Sequence, residues 1–268
     1  MKKLKLQVLI STMNQKDFSL LERMNIQTDA IIINQCDKYE VKFFDYKGNK
    51  IKWFSLNEKG VGLSRNTALF HADGDILLFA DDDVVYNENY EEIILNEFEK
   101  NPKAGIIVFN LESLNKNRPE YIVKRNYKLH WYNSLRFGAF RIAVKKNNII
   151  FNNITYSLLF GGGAKYQAGE DNLFIINCIK KRVKGIASSQ HIGTVKQEES
   201  SWFKGYNEKY YFDRGALFAA MYPKMYIFLL FLINIKDYKK NPKIDFLKKY
   251  KLSLSGAKEY MKAGKNYE

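Results

Sequence analysis

Ile76-Leu77-Leu78-Phe79-Ala80-Asp81-Asp82-Asp83 is the stretch on which the reading of this chain turns. Five apolar residues run directly into three carboxylates, and Gly74 separates them from the helical pattern upstream. A short, continuous apolar run bounded by turn residues is the pattern of a strand buried on both faces. In open α/β sheets, ligands bind beyond the carboxyl ends of such strands, and the three acids stand at that end. Adjacent carboxylates repel one another unless a cation or hydrogen-bond donors neutralise them. Alternate residues of an extended segment share a side, so Asp81 and Asp83 can converge on one ion. Oxygen ligands of this kind suit Mg²⁺ or Mn²⁺, which commonly bridge to substrate phosphates. The plainer alternative is a solvated acidic turn, with one Asp capping a helix that begins near Asn87.

The same grammar extends in both directions. Residues 6–12 (LQVLIST) and 30–34 (AIIIN) read as buried parallel strands, with a helical stripe of Phe18, Leu20, Leu21 and Met24 between them. Residues 41–44 and 51–55 read as further strands around a turn at Lys47-Gly48-Asn49. A helix over 64–71 is entered through Gly60 and Gly62, and an amphipathic helix over 88–100 stops at Pro102. Residues 105–110 return to the sheet, residues 140–144 form another strand, and residues 170–181 a further helix. The alternation predicts an α/β fold: an open, mixed, mostly parallel sheet flanked by helices, with a helical region from Trp202 onward.

The 268 residues carry 43 Lys+Arg against 29 Asp+Glu, a formal charge of +14, with the hydrophobic fraction of a globular protein. Residues 221–268 hold eleven lysines and four acidic residues, half of the whole surplus. Such a balance attracts polyanions: nucleic acid, anionic lipid or phosphorylated substrates. The basic residues surround no nucleic-acid recognition motif, so a nucleic-acid partner is not expected. Cys36 and Cys178 lie far apart in no metal-type pair, the signature of a reducing compartment. The apolar stretch at residues 6–10 is too short for a signal-peptide core. The longest apolar run, residues 225–235, falls short of the ~20 residues that span a bilayer. These features predict a cytoplasmic protein.

Four stretches in order resemble glycosyltransferase family 2. They are Ile10-Ser11-Thr12-Met13-Asn14; Gly60-Val61-Gly62-Leu63-Ser64-Arg65-Asn66; Asp73-Gly74-Asp75 leading to Asp81-x-Asp83; and Gly161-Gly162-Gly163 followed by Gly169-Glu170-Asp171. They cover roughly residues 5 to 200. The resemblance implies a GT-A-like fold and an inverting, metal-assisted transfer of a hexose or N-acetylhexosamine from a UDP-sugar to a glycan hydroxyl. The acceptor it implies is polyprenol-linked, in bacterial cell-surface polysaccharide synthesis. Carried over by position, Ser11, Asn14 and Asp37 line the nucleotide pocket, and Arg65 meets the diphosphate or holds the acidic loop. Asp81 and Asp82 meet the nucleotide-sugar, and Asp81 and Asp83 hold Mn²⁺ or Mg²⁺. Gly162, Gly163 and Glu170 meet the acceptor, and Asp171 is the catalytic base. The family's acidic cluster after the second strand is here reduced to Asn34-Gln35-Cys36-Asp37, which leaves the base contact open.

His191 follows the strand expected at residues 185–188, and the family often takes a further metal ligand from this region; a structural histidine is the alternative. Residues 222–238 combine apolar and aromatic residues with flanking lysines, as in a helix lying in an anionic membrane interface. A core or dimer helix is the alternative, so the oligomeric state stays open. The expected division is a catalytic domain over residues 1–200 and a basic, membrane-associating region over residues 201–268, at the inner face of the bacterial plasma membrane. Two other functions compete. A sugar-phosphate nucleotidyltransferase would carry a glycine-rich phosphate loop after the first strand, and residues 11–17 contain no glycine. A nucleic-acid-binding protein is favoured by charge and by 18 Tyr and 19 Phe alone.

Overall fold

The computed structural model describes residues 4–197, 205–240 and 244–264. The chain begins with β1 (Leu6–Met13), a single turn α1 (Leu20–Arg23), β2 (Asp29–Gln35), β3 (Glu40–Tyr46), β4 (Asn49–Leu56) and α2 (Val61–Phe70). It continues with β5 (Ile76–Asp81), β6 (Val84–Tyr86), α3 (Tyr90–Lys100), β7 (Ile106–Ser113), β8 (Tyr127–Lys128), β9 (Ile142–Lys145) and α4 (Lys146–Ile150). It ends with α5 (Glu170–Lys180), β10 (Gly185–Val195), α6 (Glu208–Met221), α7 (Tyr226–Lys240) and α8 (Phe246–Gly264). Among the described residues the strands form one mixed sheet, in the order β3-β4-β2-β1-β5-β9-β7-β10-β6, with β8 against β10.

The parallel pairing expected from the apolar runs holds for β4, β2, β1 and β5, and again for β7 with β10. Between these blocks β9 inserts antiparallel to both β5 and β7. The β3–β4 hairpin closes one edge through Lys47 and Gly48, both in the left-handed region.

Side-chain alternation divides the core into two layers. Val8, Ile10, Ile76 and Leu78 face α3, where Tyr90, Ile94 and Phe98 form the buried stripe. Leu9, Leu77 and Phe79 face the other way, against Ala68 and Leu69 of α2 and Phe174, Ile175 and Cys178 of α5. This second layer positions the site: Ser11 continues the Leu9 side and Asp81 the Phe79 side, so both point toward α2 and α5. The two residues are paired in register on neighbouring strands.

The stripe at Phe18–Met24 folds as the single turn α1. Leu20, Leu21 and Met24 are buried, while Phe18 stays at the surface against Phe44 and Trp53. The C-terminal helices build a third apolar cluster on Phe160, Tyr166, Leu173 and Ile176. α6 and α8 cross at glycines: a Cβ on Gly215 would lie 1.8 Å from the Ser253 carbonyl oxygen, and one on Gly256 1.9 Å from that of Phe212. The start of the helical region expected at Trp202, and parts of the lysine-rich tail, lie outside the described residues.

Candidate active site

The segment Gly60-Val61-Gly62-Leu63-Ser64-Arg65-Asn66 opens α2, and most of its residues have a structural task there. Gly60 adopts φ +129 and its amide donates to Gln35 Oε1 at 2.8 Å. A Cβ on Gly62 would stand 2.4 Å from the Ser157 carbonyl oxygen, so only glycine allows that approach. Ser64 Oγ donates to Ser11 Oγ at 2.9 Å, tying α2 to the end of β1. The Asn66 side chain clamps Tyr156 from both sides, donating to its carbonyl (2.9 Å) and accepting from its amide (2.8 Å). The glycine loop then returns to α2: the Val61 amide donates to the Gly162 carbonyl at 3.0 Å. Gly161 (φ +106) leaves room for the Glu170 carboxyl and Val61, each 2.8 Å from where its Cβ would be.

Arg65 is the electrostatic centre of the site. Its side chain is 3% exposed and contacts Asp171 Oδ1 at 2.7 Å, Asp81 Oδ1 at 2.9 Å and Glu170 Oε1 at 3.2 Å. The guanidinium also lies 5.2 Å from the Tyr156 ring centroid. Burial opposes its charge, but Asp171 and Asp81, then Tyr156 and Glu170, hold its pKa well above the ordinary value. Burial raises the Asp171 carboxyl to about 7; Arg65 and the Ala139 amide oppose the shift, and Glu170 and Asp81 reinforce it. Glu170 and Asp171 occupy the first turn of α5, where the helix dipole favours negative charge.

The acidic turn lies between β5 and β6, and β6 pairs antiparallel with the end of β10 at Gly193–Val195. Asp82 is exposed and accepts from Thr12 Oγ1 at 2.5 Å. Asp83 accepts from the Gln197 amide at 3.2 Å. Burial, then the charge of Asp81, raises its pKa to about 6. Asp81, which also accepts from Arg65 Nη2 at 2.9 Å, and Asp83 offer only carboxylate oxygens, the donor type that suits a hard divalent cation. Among the described residues, no three His, Cys, Asp or Glu side chains form a group that could hold a metal. The expected trio with His191 is not assembled. β10 does not stop at Ser188 but runs to Val195, and its bulges leave His191 opposite Asn110 of β7. His191 lies four residues before Val195, the partner of Val84, which is roughly 13 Å along an extended strand.

A cavity of about 320 Å³ opens over these groups, lined by Ser11, Gln35, Gly60, Arg65, Asp81 and Asp82, together with Gly162 and Glu170. Six of the expected site residues thus meet there, and Asp171 joins them through Arg65. Gly163 is exposed at φ +82, with its Cβ position 3.2 Å from Gly60 Cα. Asn14, Asp37 and Asp83 do not line the cavity. Asn14 is exposed in the left-handed region, its amide donating to the Gln35 carbonyl, and Asp37 is exposed beyond β2. The residues that take their place at the lining, Thr12, Gln35 and Lys59, were not singled out by sequence. Lys59, exposed at the rim just before Gly60, carries its charge as a signal; Thr12 and Gln35 lie at the ends of β1 and β2, where only position marks them.

The family model for glycosyl transferase family 2 matches residues 19–160. More than half of the chain is matched, and the chain belongs to that family; it is a glycosyltransferase. No curated protein matches it in sequence. Among solved structures it is similar to S. aureus TarS 1-349 in complex with UDP-GlcNAc, at 15% identity and TM-score 0.59, covering 96% of this chain and 72% of that one. The corresponding UDP complex gives 14% identity and TM-score 0.58, with 96% and 71% covered. A longer S. aureus TarS structure gives 13% identity and TM-score 0.61, with 91% of this chain and 54% of that one covered. At these identities the likeness shows a shared fold.

Proposed function

We propose that this chain transfers a hexose or N-acetylhexosamine from a UDP-sugar to a hydroxyl of a glycan acceptor, with inversion, and that Asp171 is the base. The observation that carries the reading is Arg65, whose one guanidinium joins Asp81 on the donor side to Glu170 and Asp171 on the acceptor side. The UDP complexes of the S. aureus neighbours support the choice of donor. The nucleotide lies over β1 and β2 against Ser11 and Gln35, with Lys59 and Arg65 supplying positive charge toward its diphosphate. Asp81 and Asp83 would hold Mn²⁺ or Mg²⁺, which when bound would supply charge neutralisation for the diphosphate. The acceptor hydroxyl approaches past Gly162 and Gly163 from the face opposite the UDP. Its oxygen bonds to the anomeric carbon, its proton passes to Asp171, and the bond between that carbon and the UDP oxygen breaks, releasing UDP.

We place the acceptor on a polyprenol-type lipid in bacterial cell-surface polysaccharide synthesis, with residues 1–200 as the catalytic unit and residues 201–268 as the membrane-facing one. The support is α7. Ile227, Phe228, Phe231, Leu232 and Ile235 are exposed along one side, and Lys224 and Lys236 are exposed beside them. No helix among the described residues is long and apolar enough to cross a membrane, and this face suits an anionic interface, the inner leaflet. The test of the proposal is UDP release from a panel of UDP-sugars with Mn²⁺ and glycan acceptors. Acceptor-dependent UDP release from at least one donor is expected. Failure of every donor, together with no thermal stabilisation by UDP, would overturn it.

A further inference from the structure

On the other side of the first turn of α5 from the donor cavity lies a second cavity, of about 360 Å³. It is lined by Gly169 and Asn172, which bracket Glu170 and Asp171, and so lies within one helical turn of the base. Its walls are apolar, from Leu135, Leu217, Phe218, Met221 and Ile233. α6 is fixed against this turn because a Cβ on Gly169 would stand 2.5 Å from Leu217.

Three polar groups at this cavity lack partners. The side-chain amides of Gln167 and Asn172 make no hydrogen bond among the described residues, and both line it. Arg214, whose side chain is 7% exposed, donates through Nη2 to Asn234 at 2.7 Å and lies 3.8 Å from Asp237, while its buried Nε has no partner. Lys209 pairs with Asp213 at 2.8 Å, and Arg214 and the buried Lys249 share Asp237 at 3.8 and 2.9 Å, so each cation around the cavity already has a carboxylate partner and the net surplus is a single positive charge. An acyl or prenyl chain would leave the amides unmatched. A pyranose ring offers what both surfaces need: C–H faces for the walls, hydroxyls for the amides, and a size that such a volume can enclose.

We infer that this cavity is a second acceptor subsite, binding the sugar ring adjacent to the one whose hydroxyl is glycosylated, so that the acceptor is an oligosaccharide of at least two sugars. The inference rests on the assignment of Asp171 as the base for its registration, and its binding test does not depend on transfer.

Saturation-transfer NMR and calorimetry on the full chain, saturated with UDP and Mn²⁺, test it against a panel of hexose and N-acetylhexosamine monosaccharides, their disaccharides, and an octyl monoglycoside. At least one disaccharide is expected to bind tenfold or more tightly than its monosaccharide. Asn172→Ala and Gln167→Ala should each reduce that advantage at least threefold while leaving UDP affinity unchanged. The subsite is overturned if no disaccharide gains over its monosaccharide, if the gain survives both substitutions, or if the octyl glycoside matches the disaccharide and ignores them. If UDP itself does not bind, the donor assignment fails; a disaccharide gain that depends on Asn172 still upholds the subsite, and its absence overturns both.

Discussion

Replacing Arg65 with Met removes the one buried cation that three carboxylates share. Taking one partner from a buried ion pair costs about 3–5 kcal/mol, because the remaining charge is left uncompensated. Glu170, Asp171 and Asp81 are 13%, 22% and 34% exposed, so solvent relieves part of that cost, and about 3 kcal/mol is the figure to expect at pH 8. For a chain of this size that corresponds to a midpoint lowered by roughly 6–12 °C. The pH dependence has a definite sign. Burial already raises Asp171 to about 7 with Arg65 in place, and without Arg65 it rises further. Between the ordinary carboxylate range and that raised value, the folded variant binds more protons than its unfolded chain, so its stability falls as pH rises. The deficit against wild type should therefore be greatest near pH 8 and shrink toward pH 5. Urea unfolding of both proteins at three pH values measures it. A loss below about 1 kcal/mol at pH 8, or a deficit that grows on acidification, would refute the view of Arg65 as the site's shared counter-ion.

The acidic turn behaves in the same sense. Ionised Asp83, with its carboxyl raised to about 6, costs the metal-free protein stability above that pH. Asp83→Asn should accordingly stabilise it by about 1–2 kcal/mol at pH 7.5, after allowing for solvent screening, with no difference below the ordinary carboxylate range and with loss of Mn²⁺-dependent UDP binding. Destabilisation at pH 7.5 in a melting scan would contradict this. Gly62→Ala sets a Cβ 2.4 Å from the Ser157 carbonyl oxygen, so a loss of about 1–3 kcal/mol in urea unfolding should accompany weaker UDP binding. Phe228→Asp combined with Leu232→Asp, on the exposed side of α7, should weaken sedimentation with anionic vesicles at least tenfold without moving the melting midpoint. Unchanged sedimentation removes the membrane role from that face. For the wild-type enzyme, kcat/KM should fall tenfold per pH unit on the acid side of about 7, since Asp171 must be ionised to accept a proton.

Local pattern carried much of this molecule into view. The apolar run before Asp81 is β5, the runs at residues 6–12 and 30–34 are β1 and β2, and the helices at α2, α3 and α5 start within a few residues of their expected positions. What local pattern cannot contain is partnership across the chain. Arg65 and Asp171 meet over a sequence separation of 106, and nothing near Arg65 marks its three carboxylates. β9 carries the same apolar signature as a parallel strand, and its antiparallel insertion follows from the path of the chain through residues 114–141. A bulged strand carries no periodic mark of its length, so His191 falls inside β10 and not after a strand: the polar stretch Ser188-Ser189-Gln190 reads as an ending, whereas β10 continues through it to Val195. Asp37 follows the motif by position, but Gln35, two residues earlier at the end of β2, is the residue at the cavity.

The most direct measurement compares Asp171→Asn with Glu170→Gln in one UDP-release assay, with UDP affinity determined by calorimetry on the same preparations. Both acids touch Arg65 and both open α5, so the pair separates chemistry from electrostatic support. The account predicts that Asp171→Asn lowers turnover by roughly 10²–10⁴-fold while UDP affinity stays near wild type, and that Glu170→Gln retains the larger activity. Near wild-type turnover in Asp171→Asn, with Glu170→Gln inactive, would contradict it.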